Sequence, residues 1–516
     1  MPNYRRIVRG IATNWMAFAI SLGIAFFLSP FIVSKLGNTT YGVWTLINSM
    51  VSYMGLLDFG LRGAVTRFVS RDHATGNHAE ASQAVSGALW IRLWLSSVIA
   101  CIGVGLVVLA PVLFRIPPEM QGAARLALLF TSANLIINLT CGVFGGTLAA
   151  LHRFDLLSGI TICQTLLRTT GTVWLLHAGY SISGLAIWEF LVVILANSLL
   201  IHSCFRVYPQ LRITWRKPSK EIFQNLWGYS LLNFVINICV QIVYYTDNLV
   251  VGAFLSASAV TFYAIGGSLI EYVRQLVASL TWTFTPLASN FEAQRQPQHL
   301  QRLLIQGTQA SLLVALPVEL ALLFRGPTFI GLWMGEEYAQ VSGHILQILL
   351  SAQFFAIANY TSGSIAAGLG KQGPVAVWAS GEAAANLVFS ILGVQIFGLE
   401  GVAWGTVIPS LAIHWFLWPR YVCQLVGMSP RIYLSQSWLR PALGATPFAL
   451  ACAITDRLWV AENLWHFFLQ IAVIFPIFVG GVVLCFWKEI HGWLQSYQNR
   501  QTRIVRYWER IVGGAE

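Results

Sequence analysis

Gly146-Thr-Leu-Ala-Ala150 and Gly363-Ser-Ile-Ala-Ala367 are near copies of one another, as are Gly184-Leu-Ala186 and Gly401-Val-Ala403, and both matches are separated by 217 residues. Gly and Ala are common in membrane helices, so either match alone carries little weight. One offset kept without a gap over about forty residues is the mark of a duplication. Each stretch also holds the same place among the hydrophobic segments of its half. Duplicated membrane units are common in transporters, because two similar bundles can rock around a site between them. The first expectation is a protein that moves a solute.

Composition sets the solvent. The chain is 56% hydrophobic and 10% charged over 516 residues, which excludes a soluble globular domain and a disordered chain. About fourteen apolar runs are each long enough to cross a hydrocarbon core of roughly 30 Å. They fall near residues 12–34, 42–69, 84–113, 122–150, 156–177, 183–205, 227–251, 258–290, 302–324, 341–369, 374–397, 400–423, 438–457 and 465–487. The expectation is an all-α polytopic membrane protein. The first run follows Arg5, Arg6 and Arg9 and reads as an uncleaved helix, since its core is too long for a signal peptide and no small-residue cleavage site follows. The eight cysteines show no C-x-x-C spacing, so neither a disulfide framework nor a zinc site is expected.

The net charge of +11 does not mark a nucleic-acid binder, because the basic residues are strung along loops on one side rather than gathered in a domain. With the N-terminus inside, 21 of the 31 Lys and Arg residues fall in cytoplasmic loops and tails. That bias places both termini in the cytoplasm, where anionic membrane lipids attract the same charges.

The longest basic linker, 206–225, follows six spans and divides the halves. Because six is even, the second copy starts on the same side as the first and the repeats are parallel. The expected organisation is a six-helix lobe over 1–216, a second over 217–436, and two additional transmembrane helices with a cytoplasmic amphipathic tail over 437–516. In that tail Ile490, Leu494, Tyr497, Ile504, Trp508 and Ile511 recur at helical spacing. The Trp residues, such as Trp44, Trp215, Trp333 and Trp438, often sit near span ends, where interfacial anchoring is expected.

Loops are short, which excludes a large extramembrane catalytic domain. Gly368-Leu-Gly-Lys371-Gln372 lacks both the leading Gly, at Ile365, and the following Ser or Thr of a P-loop. Transport is then driven by a gradient, with H+ and Na+ as the candidate coupling ions, and no cofactor or metal is expected. His73, His78, His152 and His491 read as scattered over loops.

Ionisable groups inside spans cost about 2.5–3.5 kcal/mol each at a helix centre and usually face a cavity or a partner. Asp58 and Arg62 lie four apart in the second run, and Glu271 and Arg274 three apart in the eighth. Each pair shares a helix face and can neutralise itself. The eighth run stands where the second stands in the other half, so the pairs are expected to face each other across a cavity. Arg62 and Arg274 would lie toward the cytoplasm, placed to capture an anion, unless the pairs only ease insertion or lock helices. Arg168 and Arg92 are further substrate-binding candidates, with snorkelling to an interface as the competing role. Asp247 is the ion-coupling candidate, or it meets water. Glu189, Glu319 and Glu382 are open to the same two readings. Asn14, Asn233 and Asn237 carry amides suited to sugar hydroxyls or to interhelical hydrogen bonds.

The stretch Lys35-Leu-Gly-Asn-Thr-Thr-Tyr-Gly-Val-Trp44, followed by Leu56-Leu-Asp-Phe-Gly-Leu61 and Ala64-Val-Thr-Arg-Phe68, resembles the start of polysaccharide-transport flippases, and so does Thr246-Asp-Asn-Leu-Val-Val-Gly252. These belong to the superfamily that also holds multidrug exporters and lipid II flippases. The resemblance implies a V-shaped transporter in the inner membrane of a bacterium. It would move undecaprenyl-pyrophosphate-linked oligosaccharide to the outer leaflet by alternating access, alongside other polysaccharide-assembly proteins. Cavity arginines of lipid II flippases act on the pyrophosphate, a role that Arg62 and Arg274 match by approximate position. Guanidinium forks suit phosphate. A cation-coupled multidrug exporter is the alternative from the same superfamily. A membrane glycosyltransferase or polymerase using polyprenyl sugars is the alternative from another class.

Overall fold

Gly37 and Gly398 carry positive φ angles of 73° and 60° inside what otherwise run as single helices. That backbone region is open to glycine at no steric cost, so the chain bends there without a loop. The structure, a computed structural model, describes the backbone of residues 4–58, 61–114, 116–214, 231–487 and 491. Among them are helices and turns but no strand.

Helix α1 (Tyr4–Met54) holds the first apolar run and the start of the second on either side of Gly37, and a 3-10 turn, Gly55–Asp58, follows it. It is followed by α2 (Leu61–Ala74), α3 (His78–Leu113), α4 (Pro118–Ala150), α5 (Phe154–His177) and α6 (Ile182–Val207). Then come α7 (Leu231–Phe254), α8 (Ala257–Thr281), the short α9 (Phe284–Ala293), α10 (Pro297–Met334), α11 (Glu336–Ala358) and α12 (Tyr360–Gly368). Helix α13 (Gly373–Ala412) bends at Gly398, and α14 (Trp418–Val426), α15 (Pro430–Tyr433), α16 (Arg440–Leu458) and α17 (Leu464–Cys485) complete the order.

Local signals set several of these boundaries. Asn77 caps α3 by accepting from the Glu80 amide at 3.3 Å, and Asn463 caps α17 through the His466 amide at 2.8 Å. Proline opens α4 and α10, where its missing N–H has no intrahelical partner to lose. Nine helical stretches among the described residues are long and apolar enough to cross a membrane, and those over 19–57 and 373–426 each contain a glycine bend. Helices α5, α8 and α16, of 24, 25 and 19 residues, are also of spanning length. The chain is an all-α, multi-pass membrane protein.

Two compact units form: Met1–Ser268 with Gln372–Pro409, and Leu269–Lys371 with Ser410–Glu516. The lobes expected over 1–216, 217–436 and 437–516 divide the chain by repeat, whereas these units divide it by packing, and the two divisions differ. In the first unit α7 lies along the second half of α1, where Gln241 Nε2 donates to Ser52 O at 3.1 Å and Asn248 Nδ2 to Ser49 Oγ at 3.2 Å. In the second, α10 is central, and Leu312, Ala315 and Leu316 on it share a core with Ala445 and Phe448 of α16 and Phe478 of α17.

The duplicated motif recurs as a local packing pattern. In the first unit Thr66 of α2 donates to the Gly146 carbonyl at 3.1 Å. In the second, α9 lies so close to α12 that a Cβ on Gly368 would sit 2.9 Å from Ala288 Cβ. In each case a short helix that follows a break rests on the end of the span bearing the repeated sequence.

Gly401, from the second match, fixes the α13 hairpin, since a Cβ there would lie 2.9 Å from Gly393 Cα. Gly401→Val is therefore expected to destabilise the protein by about 1–3 kcal/mol, read as a lowered unfolding temperature in detergent. Gly23→Ala, at a site with no neighbour within 4 Å, is the control that leaves it unchanged.

Two expected interface anchors are core residues instead. Trp333 is buried on α10 beside Phe329, with ring centroids 5.8 Å apart. Trp438 is buried among Phe354, Phe355, Trp415 and Tyr433. Position near a span end does not distinguish a ring turned to the interface from one turned to the next helix. Trp215, the linker over 215–230 and the amphipathic tail from Ile490 to Ile511 lie outside the described residues, apart from His491.

Candidate functional site

Asp247 lies on α7 of the first unit, in a sequence that places a carboxylate among Val, Leu and Gly. The side chain is buried at 3% exposure. Three hydroxyls donate to it: Tyr263 from α8 at 2.6 Å and Thr406 from α13 at 2.6 Å to one oxygen, and Ser390 from α13 at 3.2 Å to the other. Asn386 extends the chain by donating to Thr406 Oγ1 at 2.8 Å. Ser390 and Thr406 stand on opposite arms of the α13 hairpin, and the close approach of Gly405 to Ser390 brings them together. Both also contact the Val402 carbonyl at 3.4 Å.

The buried side-chain oxygen of Asn386 has no hydrogen-bond partner among the described residues. Asp247, Asn386, Ser390, Thr406 and Val402 thus present one carboxylate, one amide oxygen, two hydroxyls and a backbone carbonyl within one cluster. All-oxygen donors suit a hard cation, and the carboxylate equally suits a proton. Of the two roles read for Asp247 from sequence, this burial does not fit a side chain at open water. Sequence reading missed Tyr263, Asn386, Ser390 and Thr406. The i,i+4 spacing of Asn386 and Ser390, and of Val402 and Thr406, was the available signal.

In the second unit Arg274 Nε donates to Glu271 Oε2 at 2.7 Å, with a second bond from its Nη2, and Gln275 Nε2 donates to the other oxygen at 2.7 Å. The expected i,i+3 neutralisation is present. Side-chain exposures of 18% and 29% leave this pair within reach of a ligand. Asp58 and Arg62 differ from the sequence expectation in backbone: Asp58 ends the 3-10 turn and Arg62 begins the separate helix α2, so the second apolar run is not one helix carrying both on one face. Their side chains lie outside the described residues.

Arg92 does not snorkel. It is buried on α3 at 1% exposure and donates through Nη1 to the Leu139 carbonyl of α4, over the space left by Gly142. Arg168 of α5 is exposed and forms an ion pair with Glu189 of α6 at 3.2 Å. Asn237 is exposed on α7, while Asn14 and Asn233 have side chains outside the described residues. Glu319 is buried on α10, and neither of its oxygens has a hydrogen-bond partner among the described residues. Glu382 lies half-buried in the first arm of α13.

Two clusters were illegible in the sequence. Arg325 of α10 is fully buried at a break in its own helix, with φ −126° and ψ 15°. Its Nε meets Asp456 of α16 at 3.2 Å, Nη2 meets Gln470 of α17, and the guanidinium lies 4.6 Å from the centre of the Phe467 ring. Thr328 donates to the same Asp456 oxygen at 2.8 Å. This cluster fastens α16 and α17 to α10. The second cluster joins His73 and His78, which are not scattered: their rings lie 5.8 Å apart, and His78 Nδ1 is 2.8 Å from the Tyr208 hydroxyl.

The chain is 23% identical to the uncharacterized membrane protein EpsK of Bacillus subtilis over 98% of both chains. It is 22% identical to the "Probable low-salt glycan biosynthesis flippase Agl15" of Haloferax volcanii over 82% of this chain and 84% of that one. Neither relative carries the name of an enzyme. Its fold is similar to that of a solved structure titled "Lipid II flippase MurJ, inward closed conformation", with a TM-score of 0.69, 14% identity, and coverage of 94% of this chain and 100% of that one. The model of the polysaccharide biosynthesis protein family matches residues 35–343, and with that match over more than half its length this membrane protein belongs to the family.

Proposed function

We propose that this chain is a flippase for undecaprenyl-pyrophosphate-linked oligosaccharide, carrying it from the cytoplasmic to the outer leaflet of a bacterial inner membrane by alternating access. Two six-helix lobes move around the substrate in this reading, and both termini are cytoplasmic. Family membership and a relative named as a glycan biosynthesis flippase support the substrate class. The observation that carries transport is the caged Asp247. An ionisable group is costly inside a membrane, and one held by three hydroxyl donors gains a purpose if it loads and releases a cation or a proton during each cycle. Arg274 and Arg62 are the residues assigned to the pyrophosphate, with Arg274 reaching it by loosening its contacts to Glu271.

The test is restoration of surface polysaccharide in a deletion strain. Arg274→Ala and Arg62→Ala, each expressed at wild-type level in the membrane, are expected to lower surface polymer about tenfold or more, the worth of one charge-assisted contact. Full polymer from both variants would remove the arginines from the site. Resistance to cationic dyes with unchanged polymer would favour a multidrug exporter, and glycosidic bond formation by the purified protein would favour a glycosyltransferase.

A further inference from the structure

Helix α5 is accessible on two opposite faces of unlike chemistry. At about 100° per residue, Gly159, Cys163, Leu166, Thr170 and Trp174 share one face, and all five are exposed. Leu166 and Trp174 expose 48% and 65% of their surface. This face is built for acyl chains, and the Thr170 hydroxyl is turned back onto the Leu166 carbonyl at 3.0 Å. Thr161, Gln164, Thr165 and Arg168 fall within roughly a 100° arc centred on the other side of the helix. Thr161 and Arg168 are exposed, and Gln164 and Thr165 are half-buried. Arg168 lies past the middle of a 24-residue helix and is 53% exposed at its side chain. A guanidinium so exposed within a span is tolerated where it meets water rather than lipid. A polar face carrying an exposed ion pair suits an aqueous space better than acyl chains.

The chemistry of this face differs from that of an anion site. Arg168 is paired with Glu189 at 3.2 Å, so a cationic donor and a carboxylate acceptor stand side by side. Thr161 and Thr165 already donate their hydroxyl hydrogens to Leu157 O and Thr161 O at 3.0 and 2.9 Å, which leaves their oxygens as acceptors. Ser21 of α1 lies 3.5 Å from Thr165 Oγ1. Gln164 supplies both an amide donor and an acceptor. Donors and acceptors alternating at zero net charge suit a partner that also carries both, such as a neutral sugar whose hydroxyls donate to Glu189 and the threonines and accept from Arg168.

We propose that this face of α5, with Glu189 of α6 and Ser21 of α1, binds the sugar portion of the substrate and discriminates glycans by their hydroxyl pattern. The inference rests on the flippase reading and adds a subsite separate from the one assigned to the pyrophosphate.

The full chain in lipid nanodiscs is titrated with two probes: a short-chain polyprenyl pyrophosphate, bare or carrying a neutral disaccharide. Wild type is expected to prefer the disaccharide probe. Joint replacement Arg168→Gln and Glu189→Gln should lower that preference roughly tenfold, and the isosteric Thr165→Val severalfold. Affinity for the bare probe should hold. The reciprocal exchange Arg168→Glu with Glu189→Arg keeps the ion pair and controls for folding, alongside unfolding temperatures of all variants. A preference unchanged in the joint variant and in Thr165→Val would overturn the sugar subsite and leave the flippase reading standing, as would an equal loss for both probes. Failure of wild type to bind either probe would overturn the flippase reading and this subsite with it.

Discussion

Asp247→Asn is expected to reach the membrane in normal amount and to lose its response to an imposed cation or proton gradient, with flipping slowed between about 5- and 150-fold, the usual range of a coupling energy between two sites. The replacement keeps the shape of the side chain and much of its hydrogen bonding to Tyr263, Ser390 and Thr406, while removing the charge. A residue that only stitched α7 to α8 and α13 would tolerate the change with a small loss of stability. A residue that binds the coupling ion would not. The measurement is translocation of a fluorescent short-chain glycolipid in proteoliposomes, with Na+ and pH gradients imposed separately. Wild-type acceleration by one gradient names the ion. If the Asn variant keeps that acceleration in full, Asp247 is not the coupling group, and if wild type responds to neither gradient the coupling proposal itself fails.

The largest effect on stability is expected at Asp456. Asp456→Asn leaves Arg325 buried, charged and without its counter-ion, a change that costs about 3–5 kcal/mol where a buried pair is broken from one side. Gln470 and the Phe467 ring still contact the guanidinium but bring no charge. The expected readout is a lower unfolding temperature in detergent and early proteolysis of α16 and α17, which this cluster fastens to α10. The paired replacement Arg325→Met with Asp456→Leu removes both charges at similar volume and should recover most of the loss. An unchanged unfolding temperature in Asp456→Asn would show that the packing of Phe448 and Phe478 holds α16 and α17 alone.

Much of the fold was legible because its signals are local. Apolar runs and basic loops depend on neighbours a few residues away, and the offset between Gly146 and Gly363 needs no knowledge of contacts. The candidate site was legible in part. Asp247 stood out as a charge in an apolar run, and Glu271 with Arg274 stood out as an i,i+3 pair that the structure shows bonded. Arg92 and Trp438 were read by the same local rule, and the rule did not hold for them. Their environment is set by a second helix, Leu139 O for the one and the Phe354 and Phe355 rings for the other.

Sequence alone determined that this is a multi-pass helical membrane protein with its charges rationed to a few positions, because hydropathy and periodicity are properties of a single strand of chain. Only tertiary structure decided which of those positions act together. Thr406 reaches Asp247 across 159 residues and Asp456 reaches Arg325 across 131. Charged side chains are costly away from water, and Asp247 and Arg325 are satisfied by partners on other helices. Which helix lies beside it follows from side-chain shape around residues such as Gly401 and Gly405, and no local pattern records that choice.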